Sequence, residues 1–134
     1  MLSRKKFLSM LFGALLALWV LFGSANNVHA TSMTQSFHGS SVTAVLNRGT
    51  TSATGGTVSG MTPAFYSVDV LLEYYNDYGS YYETHTAKNG NGGDISTYAT
   101  ATGTGPNVHS YNSTSDHALT SFVYYDTWIM HLID

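Results

Sequence analysis

The most regular feature of the chain is an alternation of apolar and polar side chains near its centre. Between residues 65 and 75 every second side chain is apolar, and those between them are mixed. This spacing is typical of a β-strand with one buried face, because successive side chains of a strand point to opposite sides. The apolar face carries Tyr66, Val68, Val70, Leu72 and Tyr74. Turn residues follow at 76–79 and the alternation resumes over 80–88, so the pattern predicts a β-hairpin.

The same rhythm of short strands and glycine-rich turns continues through most of the chain. Further strands are predicted at 40–46, 50–59, 95–102, 108–111 and 117–126, with a polar loop at 112–116, and with 127–133 either continuing the last strand or pairing with it. No segment after residue 30 has apolar side chains at helical spacing, and β-branched residues are frequent throughout. The sequence therefore predicts an all-β fold, a small antiparallel β-sandwich of about six to eight short strands, with a small β-barrel as the alternative.

A hydrophobic core is predicted from the largest apolar side chains of the central and C-terminal strands. Rings and branched aliphatic side chains bury the most area, so they are the first candidates for the interior. The predicted core residues are Val70, Leu72, Leu119, Phe122, Val123, Trp128 and Ile129.

The N-terminal segment has the three-part pattern of an export signal. The basic residues Arg4–Lys6 precede an apolar run, Phe7–Phe22, and Val28 and Ala30 are small residues at the positions that a signal peptidase reads. We therefore expect a signal peptide that is cleaved after Ala30. An uncleaved anchor is the alternative, because the apolar run approaches the roughly 20 residues that a membrane span needs.

On this interpretation residues 1–30 are the signal peptide and residues 31–134 form one secreted domain. The expected location is extracellular, with membrane contact only during export. The sequence contains no cysteine, so the domain has to be stabilised by packing and backbone pairing without disulfides. It also has no cysteine for lipid attachment after the leader.

The charge balance excludes some classes of partner. Beyond the leader the only Lys and Arg side chains are Lys88 and Arg48, set against eight carboxylates. Such a surface cannot neutralise a row of phosphates, and an anionic bilayer would repel it. We therefore expect neither a nucleic-acid partner nor a polybasic membrane-binding role.

The strongest candidate for a binding surface is the cluster of tyrosines around the hairpin turn at 74–82. Tyrosine presents a rigid apolar ring with a polar tip, a combination that recognition surfaces favour, and Ser, Gly and Asn commonly accompany it. Two of these five rings, Tyr74 and Tyr82, face inward by strand parity. Tyr75, Tyr78 and Tyr81 are left for contact with an unknown cell-surface protein, with a glycan, or with a second copy of the chain through exposed strand edges.

Catalytic and metal-binding chemistry has weaker support in the sequence. Glu83 and His85 share one strand face, and Glu73 lies across the hairpin, so these three could hold a divalent cation in a metal-dependent hydrolase. The spacing is, however, that of any polar strand face, and no nucleophile motif such as G-x-S-x-G is present. The sequence therefore favours a non-enzymatic protein without a cofactor.

In general character the chain resembles small, cysteine-free secreted proteins of Gram-positive bacteria, among them the lactococcin-like β-sandwich bacteriocins. The resemblance lies in the leader, the strand-rich body and the aromatic residues Tyr124, Tyr125 and Trp128. It implies a toxin that acts on competing cells. The leading hypothesis is still a secreted protein that acts by surface contact, and a bacteriocin is the alternative.

Overall fold

A computed structural model describes residues 27–90 and 96–134, and every regular element in these two ranges is a β-strand. Most of the predicted signal peptide lies outside the described residues. Because the described part holds no helix, it offers none that could cross a membrane. The strands are β1 (Asn27–Phe37), β2 (Ser40–Gly49), β3 (Ser52–Ser59), β4 (Ala64–Tyr75), β5 (Tyr81–Gly90), β6 (Ser96–Thr102), β7 (His109–Ser121) and β8 (Asp126–Ile133).

The strands form two four-stranded antiparallel sheets that pack face to face. One sheet has the order β1-β2-β3-β6 and the other has the order β5-β4-β7-β8. The chain changes sheet after β3, after β5 and after β6, which interleaves the two layers. The predicted all-β sandwich is therefore confirmed.

The central hairpin is confirmed as β4 and β5. In its register Tyr74 lies opposite Tyr82, and Glu73 lies opposite Glu83. Gly79 has a φ of 77°, a left-handed conformation that glycine adopts without strain, and this residue turns the chain between the two strands.

The prediction for the segment from 108 to 126 was wrong in two places. The stretch 112–116, expected as a loop, lies inside β7, and the strand expected to reach residue 126 ends at Ser121. The inward-facing positions in that stretch of β7 are Ser113, Ser115 and His117, all buried and polar. Because these side chains are not apolar, the alternation that identifies a strand is invisible in the sequence.

The two sheets lie especially close together where β3 faces Val70 and Ser115. At Gly55 of β3 an added Cβ atom would lie 2.7 Å from Val70 Cγ2 and 3.3 Å from Ser115 Cβ. The two sheets therefore approach closely at this level, and a side chain at position 55 would force its neighbours to move.

The core contains four of the seven predicted residues, namely Val70, Leu72, Leu119 and Trp128. Ile129 was predicted wrongly and is 72% exposed, because neighbours on a strand face opposite sides and Trp128 occupies the inner one. Phe122 and Val123 were also wrong and are exposed in the turn after β7.

The turn that exposes Phe122 and Val123 is set by the residue before it. The Ser121 side-chain oxygen accepts hydrogen bonds from the backbone N–H groups of Val123 and Tyr124, both at 3.2 Å. The Ser121 carbonyl accepts a third from Tyr125 N–H at 3.0 Å. These bonds satisfy the backbone N–H groups of the turn locally. The strand therefore ends at Ser121, although the residues that follow are apolar.

The strand β1 was not predicted. It pairs with β2 along its length, with Met33 opposite Ala44 and Thr31 opposite Leu46. It begins at Asn27, ahead of the cleavage point predicted after Ala30. The leader and its cleavage stay predictions.

Candidate aromatic binding surface

A β-bulge in β7 determines which side chains reach the outer face of the β5-β4-β7-β8 sheet. Glu73 pairs with Asn112, but the next residue, Tyr74, pairs with Ser110, so Tyr111 has no partner on β4. An extra residue of this kind shifts the alternation by one. Tyr111 and Asn112 consequently both contact residues of the outer face, although they are neighbours in sequence.

The bulge assembles an exposed group of rings on three adjacent strands, which we call the aromatic patch: Tyr75, Tyr81, His109 and Tyr111. Tyr75 stacks on His109 with ring centroids 5.3 Å apart and on Tyr111 at 6.4 Å, and Tyr81 meets Tyr111 at 5.7 Å. The three tyrosines are 44–52% exposed. The patch is therefore a continuous aromatic area on three paired strands. Tyr75 lies on the middle one of these strands.

Two carboxylates border the aromatic patch, and we call Glu73 and Glu83 the acidic pair. They lie directly opposite each other on β4 and β5. The Tyr81 hydroxyl lies 2.8 Å from Glu83 Oε1 and also contacts Glu73 Oε1. A hydroxyl carries one proton, so Tyr81 can donate to only one carboxylate at a time. The other Glu73 oxygen accepts from the Asn112 side-chain amide.

The electrostatic surroundings of the patch are negative. Burial of the phenol and the nearby Glu73 carboxylate both raise the pKa of Tyr111. Within residues 27–90 and 96–134, no salt bridge involves Glu73 or Glu83. The acidic pair, with Glu73 half-buried and Glu83 exposed, thus has no salt-bridge partner in the described part of the chain.

The structure brings together two of the three predicted binding tyrosines. Tyr75 and Tyr81 belong to the aromatic patch, whereas Tyr78 is 72% exposed in the hairpin turn and its ring lies toward Gly105 in the loop after β6. Sequence reasoning missed His109 and Tyr111, because both lie beyond a bulge that no local pattern marks.

The hairpin turn beside the patch is fixed by hydrogen bonds to the loop between β6 and β7. The Asn76 side chain accepts from Tyr78 N–H at 2.9 Å and donates to the Thr104 carbonyl at 2.8 Å. Asp77 N–H donates to the Pro106 carbonyl at 3.1 Å. The turn is therefore held in place, so Tyr75 and Tyr81 at its base have a defined separation.

The three residues considered as metal ligands, Glu73, Glu83 and His85, do not form a compact group. Glu73 and Glu83 meet, but His85 lies farther along β5 with its Nδ1 3.7 Å from Asp69 Oδ1. Across the two described ranges no three His, Asp or Glu side chains are arranged to hold a metal ion.

A second exposed aromatic group lies at the opposite end of the sandwich, in the turn Phe122–Tyr125. His38 stacks on Tyr124 with ring centroids 4.2 Å apart, and its Nε2 lies 3.0 Å from Asp126 Oδ2. This hydrogen bond, the Thr127 backbone N–H and the His38 charge lower the pKa of Asp126. We refer to Phe122–Tyr125 as the aromatic turn.

A polar network is buried between the sheets. Thr57 Oγ1 donates to the Ser67 carbonyl at 3.0 Å and lies 3.0 Å from His117 Nδ1, while Ser115 Oγ lies 2.6 Å from His117 Nε2. Since the Thr57 proton is used, His117 Nδ1 carries the proton and Nε2 accepts from Ser115. Ser115 and His117 have the geometry of a nucleophile and its base, but both are 1% exposed, so no substrate reaches them in the closed sandwich.

The comparisons with known proteins add no family. No protein-family model, no curated protein and no solved structure matches this chain. The resemblance to lactococcin-like bacteriocins therefore stays a prediction, and the surface described above is the basis for a functional proposal.

Proposed function

We propose that the protein is an exported, non-enzymatic binding protein that acts by surface contact, and that the aromatic patch is its contact surface. The observation that carries the proposal is the continuity of the patch, in which neighbouring rings contact each other in the order His109, Tyr75, Tyr111 and Tyr81 on three paired strands.

The rigidity and the mixed chemistry of this surface both support a binding role. The rings lie on a hydrogen-bonded sheet, so little conformational entropy is lost when a partner contacts them. The patch also combines aromatic area with carboxylate and amide groups at its border, and recognition surfaces use aromatic rings as anchors and polar groups for orientation.

The proposal differs from the sequence-based hypothesis in the residues that carry it. Tyr78 is replaced by His109 and Tyr111, because the Tyr78 ring lies toward Gly105 in the loop after β6. Export remains part of the proposal and depends on the leader pattern. The expected partner class is a component of a cell surface, which includes glycans, proteins and a second copy of the chain.

The first prediction concerns the double variant Tyr75→Ala/Tyr111→Ala. It should retain the fold, because both rings are exposed, and should lose at least about tenfold in affinity for the natural cell-surface target, since each buried aromatic contact contributes roughly 1–2 kcal/mol. The measurement is binding of labelled mature protein to whole cells and to a glycan array, with self-association followed by sedimentation.

The matched control is Tyr124→Ala/Tyr125→Ala, which removes the same number of exposed tyrosines from the aromatic turn. This control and Tyr78→Ala should bind as the unmodified protein does. Two outcomes would show that the patch is not the contact surface. The control could lose as much affinity as the Tyr75→Ala/Tyr111→Ala variant, or that variant could bind undiminished while its circular dichroism is unchanged.

A further inference from the structure

We infer that the partner recognised by the aromatic patch is a cationic polypeptide segment, which lies in an extended conformation along β5 with its Lys or Arg side chains over the acidic pair. This inference rests on the proposed function above and adds the chemistry of the partner. Two separate features carry it, namely the charge of the patch and the free edge of the neighbouring strand.

Among the residues that the structure describes, no salt bridge supplies a counter-charge to the acidic pair. Like charges placed directly opposite on neighbouring strands destabilise a sheet, and the single Tyr81 proton satisfies one of the two carboxylates at a time. Arg48 is 7% exposed and lies 3.6 Å (Nε to Oδ2) from Asp134. A cation supplied by a partner would relieve the repulsion between Glu73 and Glu83.

The rings favour the same class of ligand. Ammonium and guanidinium groups are attracted to the faces of aromatic rings, and the attraction adds to that of a carboxylate close by. Tyr81 and Tyr111 lie next to Glu73, with Tyr81 in contact with its side chain. A Lys or Arg side chain at this point meets ring and carboxylate together.

The edge of the sheet indicates a polypeptide partner. β5 is the terminal strand of its sheet, so within the described residues one side of its backbone has no strand partner. It contains no proline, and most of its side chains are exposed. An extended segment that pairs with this edge would place every second side chain on the outer face, beside Tyr81, Glu83 and His85.

Other occupants fit these features less well. Within the described residues, a second copy of this acidic chain offers one exposed Lys, Lys88, and a neutral glycan would leave the negative charge of the acidic pair uncompensated. Phosphate-bearing surfaces are repelled by it. Charge complementarity therefore selects the cationic segment.

The test uses a peptide of alternating Lys and Thr residues as the probe, with the Glu/Thr and Gln/Thr peptides of equal length for comparison. Titration calorimetry of the mature protein should detect binding of the Lys/Thr peptide alone, with affinity that falls as salt is raised. Amide shifts in the NMR spectrum should change along β5 and not along β1, an edge strand of the other sheet.

The decisive variant is Glu73→Gln/Glu83→Gln, which removes the charges and keeps the shape. We expect it to weaken binding of the Lys/Thr peptide about tenfold, as two partly exposed charge contacts would. Asp69→Asn/Asp116→Asn is the matched control, because it removes two exposed carboxylates of the same sheet outside the acidic pair. The control should keep most of the affinity.

The inference is overturned by absence of Lys/Thr binding, by equal binding of the neutral peptide, or by equal weakening in the control. Its failure is distinguishable from that of the proposed function. If Tyr75→Ala/Tyr111→Ala abolishes cell-surface or glycan binding while the Lys/Thr peptide does not bind, the patch is a contact surface for an uncharged partner. If neither is seen, both proposals fail.

Discussion

His117 occupies the centre of the sandwich and is fully satisfied there without a charge. Its two ring nitrogens are bonded to Thr57 and Ser115, and burial lowers the pKa of His117 from 6.5 to about 4. The charges of Asp116 and His131 act on it in opposite directions. The neutral ring thus joins β3 to β7 across the two sheets, and protonation would place a charge in the core.

The shift in this pKa predicts a loss of stability in weak acid. The unfolded chain takes up a proton near pH 6.5 and the folded chain only near pH 4, so the contribution is complete above about pH 6.5 and declines as the pH falls toward 4. The total loss should be about 3 kcal/mol. It is measured by urea unfolding at a series of pH values between these limits.

His117→Gln removes the titration and should flatten this part of the pH profile, although it lowers stability at neutral pH because one hydrogen bond is lost. His85→Gln changes an exposed histidine and should keep the slope of the unmodified protein. A His117→Gln profile parallel to the unmodified one would assign the acid sensitivity to another group.

Among the elements, β3 packs closely against its neighbours at two glycines, Gly55 and Gly56. Gly55 faces the other sheet, and Gly56 lies directly opposite Tyr98 of β6, whose ring covers it. A Cβ atom at position 56 would overlap Tyr98 Cδ1 and Cε1. The Gly-Gly pair, which looks like an interruption in the sequence, is the place where close packing occurs on both faces of the strand.

A double-mutant cycle tests this arrangement. Gly56→Ala should cost roughly 1–3 kcal/mol of unfolding free energy, because the Tyr98 ring has to move. In a Tyr98→Ala background the same substitution should be neutral or stabilising, since the overlap is gone and alanine suits a strand better than glycine. Additive effects in the two backgrounds, measured by urea unfolding, would show that the ring does not pack on Gly56.

Some strands could be predicted from the sequence more completely than others. The β4–β5 hairpin is predictable because the inward residues of β4 are apolar and the turn after it contains glycine. The middle of β7 is not, because Ser113, Ser115 and His117 supply the inward face there and conceal the alternation. His109 and Tyr111, which are half of the aromatic patch, could not be predicted for a related reason. The bulge that moves Tyr111 outward arises from the pairing of β7 with β4, and such pairing is a property of two strands together.

For the molecule as a whole, apolar packing between the sheets is supplemented by a buried ion pair at the end where β8 finishes. Arg48 of β2 lies with its Nε 3.6 Å from Asp134 Oδ2 and donates from Nη1 to the Ser110 carbonyl at 3.3 Å. His29 of β1 approaches the other Asp134 oxygen at 3.4 Å. Asp134 is itself held by backbone bonds to Ser113, so the pair connects one sheet to the other.

Removal of either partner leaves a charge buried without compensation. We expect Arg48→Met to cost about 3–5 kcal/mol of unfolding free energy and Asp134→Asn to cost a similar amount, because desolvation of the remaining charge is no longer offset. The combination Arg48→Met/Asp134→Asn should cost less than the sum, since neither charge then remains. If Arg48→Met alone unfolds in urea as the unmodified protein does, the two sheets are held together by their apolar faces and the ion pair contributes nothing.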